Sequence, residues 1–231
     1  MALPKLETPT YETQIPSGKL VKFRPFLVKE EKVLLMVKES KNTKEIIRAM
    51  KQIVESCIKD DTESKTLSYY DIEHLFIHMR ARSVGEQIEV MHTCSSCGED
   101  FPFNIDITKV SLSGPIPENT NVMISEKIGV SVKPVSPETV AASEANDSDR
   151  ATIVVKDVID TVFTDSEVHK FTDFTDSERN EFVESLSLSN LQKILEKVEE
   201  FPRCQIKATR VCPKCGAENE IILEGIENFF T

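Results

Sequence analysis

Four of the chain's six cysteines fall into two identical spacings, Cys94-Ser95-Ser96-Cys97-Gly98 and Cys212-Pro213-Lys214-Cys215-Gly216. Two residues between a pair of cysteines let both thiolates face one ion while backbone N–H groups temper their charge. Four sulfurs at about 2.3 Å make a tetrahedral Zn²⁺ site. The glycine after each pair supplies the positive φ that turns the chain back into a strand. β-like runs precede both, Val90-Met91-His92-Thr93 and Ala208-Thr209-Arg210-Val211, so each stretch reads as half of a zinc ribbon. Such halves usually lie about 15–20 residues apart. Here everything from Gly98 to Val211 intervenes, which requires an inserted subdomain. Cys94, Cys97, Cys212 and Cys215 are therefore the expected ligands of one structural zinc. A disulfide, a redox pair and unmetallated thiols are the competing chemistries. A thioredoxin-like C-x-x-C opens a helix after a strand, and neither pair here opens an amphipathic helix.

Other reactive residue types have plainer readings. Cys57 lies in a helical apolar stripe, as a core thiol does. His74 and His78 are one helical turn apart, but Leu75 stands where the glutamate of H-E-x-x-H would be, so they read as partly buried histidines. His92, two residues before Cys94, could replace a cysteine ligand and with four cysteines need not. No nucleophile elbow or phosphate-binding loop is present, so no catalytic residue is expected and the chain reads as a non-enzyme.

The elements that must position the cysteines follow from periodicity. Tyr11–Ile15 and Leu20–Phe26 flank a turn at Ser17-Gly18, a β-hairpin. Helices are predicted over Glu30–Glu39, over Thr43 to about Lys59 with Thr43 as N-cap, and from Ser68-Tyr69-Tyr70-Asp71, which has the form of a capping box. Gln87–Thr93 leads as a strand into the first cysteine pair. Phe101, Phe103, Ile105 and Ile107 alternate with polar residues beyond it, as far as Thr108. Val122–Ile124 and Ile128–Val132 suggest a second hairpin. Ile153–Phe163 fits a buried helix, with a strand as the alternative because of its β-branched content. Thr175-Asp176-Ser177-Glu178 caps a helix, and a last one begins near Ser187 or Ser189 and stops before Pro202. Gln205–Val211 and Glu220–Leu223 are the strands around the second pair. Phe229 and Phe230, at the end of the chain, are expected to pack on its own core or on a partner.

These readings give an α+β fold in five parts: residues 1–27 as an N-terminal arm and β-hairpin, 28–86 as a helical region, and 87–112 as the first half of the zinc ribbon. Residues 113–203 form an inserted hairpin plus helical subdomain, and 204–231 the second half of the ribbon with a C-terminal tail. At 231 residues, 39% hydrophobic and 29% charged, the composition is that of a globular protein without a membrane segment. No signal-peptide core follows Met1, so a cytoplasmic start is expected, where thiolate–zinc sites outnumber disulfides. A net charge of −11 argues against nucleic-acid binding. That charge is uneven, with 12 Lys/Arg against 8 Asp/Glu in residues 1–60 and 6 against 16 in residues 136–200. Such asymmetry suits pairing with protein partners or with other copies, or simply a solvated acidic face.

Several stretches together carry a family likeness: Phe23-Arg24-Pro25-Phe26-Leu27-Val28-Lys29-Glu30-Glu31-Lys32, Asp173-Phe174-Thr175-Asp176, and Cys212-Pro213-Lys214-Cys215-Gly216-Ala217-Glu218-Asn219 running on to Leu223-Glu224-Gly225-Ile226-Glu227-Asn228-Phe229-Phe230. On these the chain resembles, over nearly its whole length, the base plate protein family of T4-like bacteriophages, that of the tail baseplate hub subunit. The resemblance implies a structural or assembly role in the central baseplate of a contractile tail, with other hub or tail proteins as partners. The protein would sit in the host cytoplasm during assembly and in the virion baseplate if retained. It implies no catalytic residues; the zinc reading rests on the cysteine chemistry alone.

Overall fold

The computed structural model describes residues 6–40, 42–143 and 149–225, and the fold is α+β. Strands β1 (Tyr11–Gln14) and β2 (Leu20–Phe23) pair antiparallel across a turn in which Gly18 holds φ at 92°. Helices α1 (Val28–Ser40), α2 (Thr43–Cys57) and α3 (Tyr69–Ser83) follow. The stripe of α2 is buried as its periodicity requires, at Ile46, Ile47, Met50, Ile53, Val54 and Cys57. Thr43 is the first helical residue of α2, not the residue before it. Ser68 caps α3 in a full capping box, its hydroxyl accepting from the Asp71 N–H while the Asp71 carboxylate reaches back to the Ser68 N–H.

Next come β3 (Gln87–Thr93), β4 (Asp100–Asp106), β5 (Ser111–Leu112), β6 (Asn121–Met123) and β7 (Ile128–Val132). The alternation read as far as Thr108 ends as a strand at Asp106, whose carboxylate accepts from the Thr108 N–H and starts a 3-10 turn at Ile107. Helices α4 (Pro137–Ser143) and α5 (Arg150–Val158), strands β8 (Ile159–Thr164) and β9 (Val168–Lys170), then helices α6 (Asp176–Glu184) and α7 (Leu188–Glu199) continue the chain. The run Ile153–Phe163 is thus neither helix nor strand throughout: it changes from α5 to β8 at Ile159. Thr175 forms the expected capping box with Glu178, and Ser187 caps α7. Strands β10 (Cys204–Val211) and β11 (Glu218–Glu224) close the described chain; Phe229 and Phe230 lie outside the described residues.

Contacts divide the described residues into two units, one within residues 1–42, 49–113 and 203–231, the other within 43–48 and 114–202. The second unit is an antiparallel sheet in the order β6-β7-β8-β9 over a core of Val130, Val132, Val155, Val158, Ile159, Phe171, Val183 and Ile194. Here Gly129 lies against the ring of Phe163, its cross-strand partner, so closely that a Cβ would collide with it.

In the first unit the chain leaves for and returns from residues 114–202 at one point. The Ser113 N–H donates to the Arg203 carbonyl (2.9 Å), and the Arg203 N–H donates to Ser113 Oγ (3.0 Å). Just inside this closure β5 pairs with β10, Leu112 opposite Cys204, and β10 pairs along its length with β11. β3 and β4 form a separate hairpin with Ile88 opposite Ile105, Val90 opposite Phe103 and His92 opposite Phe101. Phe101, Phe103, Ile105, Ile206 and Leu223 are buried, one inward face on each hairpin.

Behind the N-terminal hairpin, Arg24 and Glu30 are paired at 2.8 Å with side chains only 6% exposed. The Leu27 N–H and Ser56 Oγ also donate to the Glu30 carboxylate, and Arg24 donates to the Pro25 and Ser56 carbonyls. This network ties the first turn of α1 to the end of α2. Among the described residues no helix is long and apolar enough to cross a membrane.

Candidate metal centre

The turn joining β3 to β4 and the turn joining β10 to β11 have the same backbone. In the first, the Cys94 N–H donates to the Glu99 carbonyl (2.8 Å) and the Gly98 N–H to the Cys94 carbonyl (2.9 Å); in the second, Cys212 to Ala217 (2.8 Å) and Gly216 to Cys212 (3.0 Å). Gly98 and Gly216 hold φ at 71° and 72°, a region a Cβ disfavours. The identical C-x-x-C-G spacings therefore fold into identical knuckles, and the two meet.

The four sulfurs of Cys94, Cys97, Cys212 and Cys215 lie within 4.8 Å of one another, the one group of three or more potential ligands among the described residues. Two crossing pairs stand at 3.7 Å, Cys94 with Cys215, and 3.8 Å, Cys97 with Cys212. A disulfide would require about 2.05 Å. A regular tetrahedron of sulfurs about 2.3 Å from a central ion has edges of about 3.8 Å, which these two pairs match, and four cysteine sulfurs are a donor set that suits Zn²⁺ in kind and number. Cys94 and Cys212 are buried whereas Cys97 and Cys215 are exposed.

The two thiols of the first knuckle are shifted in opposite directions. Burial opposes the Cys94 thiolate, but the backbone N–H groups of Ser96 and Cys97 and the Asn219 amide outweigh it and bring Cys94 down to about 6. At Cys97 the Glu99 N–H favours the thiolate, yet desolvation and the sulfurs of Cys215, Cys94 and Cys212 push it up to about 12. The donors around Cys94 thus favour its thiolate, while the neighbouring sulfurs favour the protonated form of Cys97. Lys214 on the second knuckle also reaches Glu99 on the first at 2.6 Å, and Arg210 donates to the Pro102 carbonyl.

Asn219 is the residue the sequence reading passes over. Its side chain is buried and lies between the knuckles, touching Ser95, Cys94 and His92 on one side and Ala217 on the other. The available signal was an amide at an inward-facing strand position, where the pattern asks for an apolar residue. His92 stands edge-on to Phe101 and Phe103 and reaches Asn219 Oδ1, outside the sulfur quartet. The rings of His74 and His78 meet in a tilted contact at 4.4 Å between centroids, and burial favours the neutral form of both, bringing His74 down to about 4. Cys57 is a core thiol. The sixth cysteine, Cys204, is buried too and donates to the Tyr70 carbonyl at 3.2 Å; burial pushes its thiol up.

The structure is an α+β fold in which two hairpin turns, distant in sequence, bring four cysteines together. The chain belongs to the T4 bacteriophage base plate protein family, whose profile it matches over residues 8–231. It is similar to the baseplate hub assembly protein gp26 of Enterobacteria phage T4, at 22% identity over 213 residues, which covers 92% of this chain and 93% of that protein. No solved structure matches it.

Proposed function

We propose that this protein is a non-enzymatic structural or assembly component of a contractile-tail baseplate hub, with a split zinc ribbon clamped by one structural Zn²⁺ on Cys94, Cys97, Cys212 and Cys215. The observation that carries the reading is the quartet of sulfurs within 4.8 Å of one another, drawn from segments more than a hundred residues apart in a chain of this family. When bound, the ion supplies a cross-link that needs no oxidising compartment, contributing on the order of 10 kcal/mol. Four protein sulfurs leave no coordination position for a substrate, which suits a building part. In this reading residues 87–112 and 204–231 are the two ribbon halves. The insertion 113–203, with its acidic surface, faces other hub or tail proteins or further copies.

A second reading is a soluble chaperone or adaptor that guides hub assembly in the host cytoplasm and then leaves. It is favoured by the name of the T4 relative, an assembly protein. Antibody detection in purified, salt-washed particles separates the two: stoichiometric protein supports the structural component, and its absence with intact baseplates supports the chaperone. Assembly that proceeds normally in a phage lacking the gene would overturn both.

A further inference from the structure

We infer that Asn219 positions the Cys94 thiolate and bonds the two knuckles to each other, so that it sets how tightly the quartet holds its metal. This rests on the zinc reading above.

Asn219 is 3% exposed and its whole hydrogen-bonding capacity is engaged at the knuckles. Its Oδ1 accepts from the Ser95 N–H (3.2 Å) and lies 3.5 Å from Ser95 Oγ and 3.4 Å from His92 Nε2. Its Nδ2 donates to the Ala217 carbonyl (3.0 Å) and to Cys94 Sγ (3.5 Å). The reversed amide would set its oxygen against a carbonyl and a thiolate and its N–H₂ against the Ser95 N–H, so the partners dictate this orientation. One side chain is thus bonded to both turns.

The arrangement has no counterpart on the other knuckle. Asn219 lies four residues after Cys215, and the residue four after Cys97 is Phe101. Two turns with one backbone are made unequal by this side chain, and Cys94, buried from water, is the sulfur that receives its amide. Four thiolates on a dication leave net negative charge, which N–H donors disperse. Removing the amide strips Cys94 of a donor and leaves the Ser95 N–H without its acceptor.

The test uses the full chain with Asn219→Leu, which keeps the branched heavy-atom skeleton and removes every polar group of the side chain, and Asn219→Asp, which keeps the acceptor for Ser95 and removes the donor to Cys94. Zinc per chain, the rate of zinc release to excess chelator and the thiolate-to-metal absorption of the Co²⁺-substituted protein are measured. Both variants are expected to release zinc roughly 10–100-fold faster than wild type, with shifted Co²⁺ bands. Should Asn219→Leu not fold, Asn219→Asp alone decides. Wild-type release rates and band positions in the folded variants would overturn the role of Asn219 and leave the zinc reading intact. A folded wild type that takes up neither metal would overturn both.

Discussion

Replacing Glu30 with Gln should cost the first unit about 3 kcal/mol at neutral pH, and the cost should disappear in acid. Burial works against the Glu30 carboxylate, but Arg24, the Leu27 N–H and Lys29 outweigh it and hold its pKa at about 2 instead of 4.5. A lowering of that size, at about 1.36 kcal/mol per unit, is worth about 3 kcal/mol, within the range for removing one partner of a buried pair. Because the folded value lies below the unfolded one, the contribution is complete above about pH 4.5 and is lost as pH falls toward 2. The assay is urea denaturation of wild type and Glu30→Gln at pH 7, 5, 4 and 3, followed by tyrosine fluorescence. The chain has no tryptophan, and its three tyrosines, Tyr11, Tyr69 and Tyr70, all lie in the first unit, so that signal reports the relevant unfolding. Acid also protonates the cysteines, but it does so in both proteins and cancels in the difference. A gap below 1 kcal/mol at pH 7, or one that stays constant down to pH 3, would refute the assignment.

Glu73 should behave in the opposite sense: burial raises its pKa to about 7, so wild-type stability falls as pH rises from 4.5 through 7, and Glu73→Gln should flatten that decline in the same tyrosine assay. Cys94→Ser or Cys212→Ser should lose zinc, measured by metal analysis, and leave the protein insoluble or unable to assemble; a soluble variant that supports baseplate assembly would count against the clamp. Gly129→Val should drive the Phe163 ring out of place and destabilise the second unit by about 1–3 kcal/mol, read as a lower melting temperature by circular dichroism.

What could be read from the chain without its structure follows from how local each signal is. Both knuckles were legible because two intervening residues and a following glycine specify the turn, and the repeated flanks implied that the halves meet. The capping boxes at Ser68 and Thr175 were legible for the same reason: donor and acceptor lie three residues apart. The change from α5 to β8 was not, since Val155, Val158, Ile159 and Val162 suit a buried helix or a buried strand equally. Strands β5 and β9, of two and three residues, are too short to show a period and exist through their partners. Asn219 and the Arg24–Glu30 pair escaped because their partners, Ser95 and Ser56, are distant in sequence and appear only when the chain is folded.

The central claim is that one divalent ion joins the two knuckles, and X-ray absorption at the zinc edge on protein purified without added metal, with zinc counted per chain, tests it directly. The expected result is one zinc per chain with four sulfur neighbours at about 2.3 Å. Folded protein without zinc, or zinc surrounded by nitrogen and oxygen at about 2.0–2.1 Å, would contradict it.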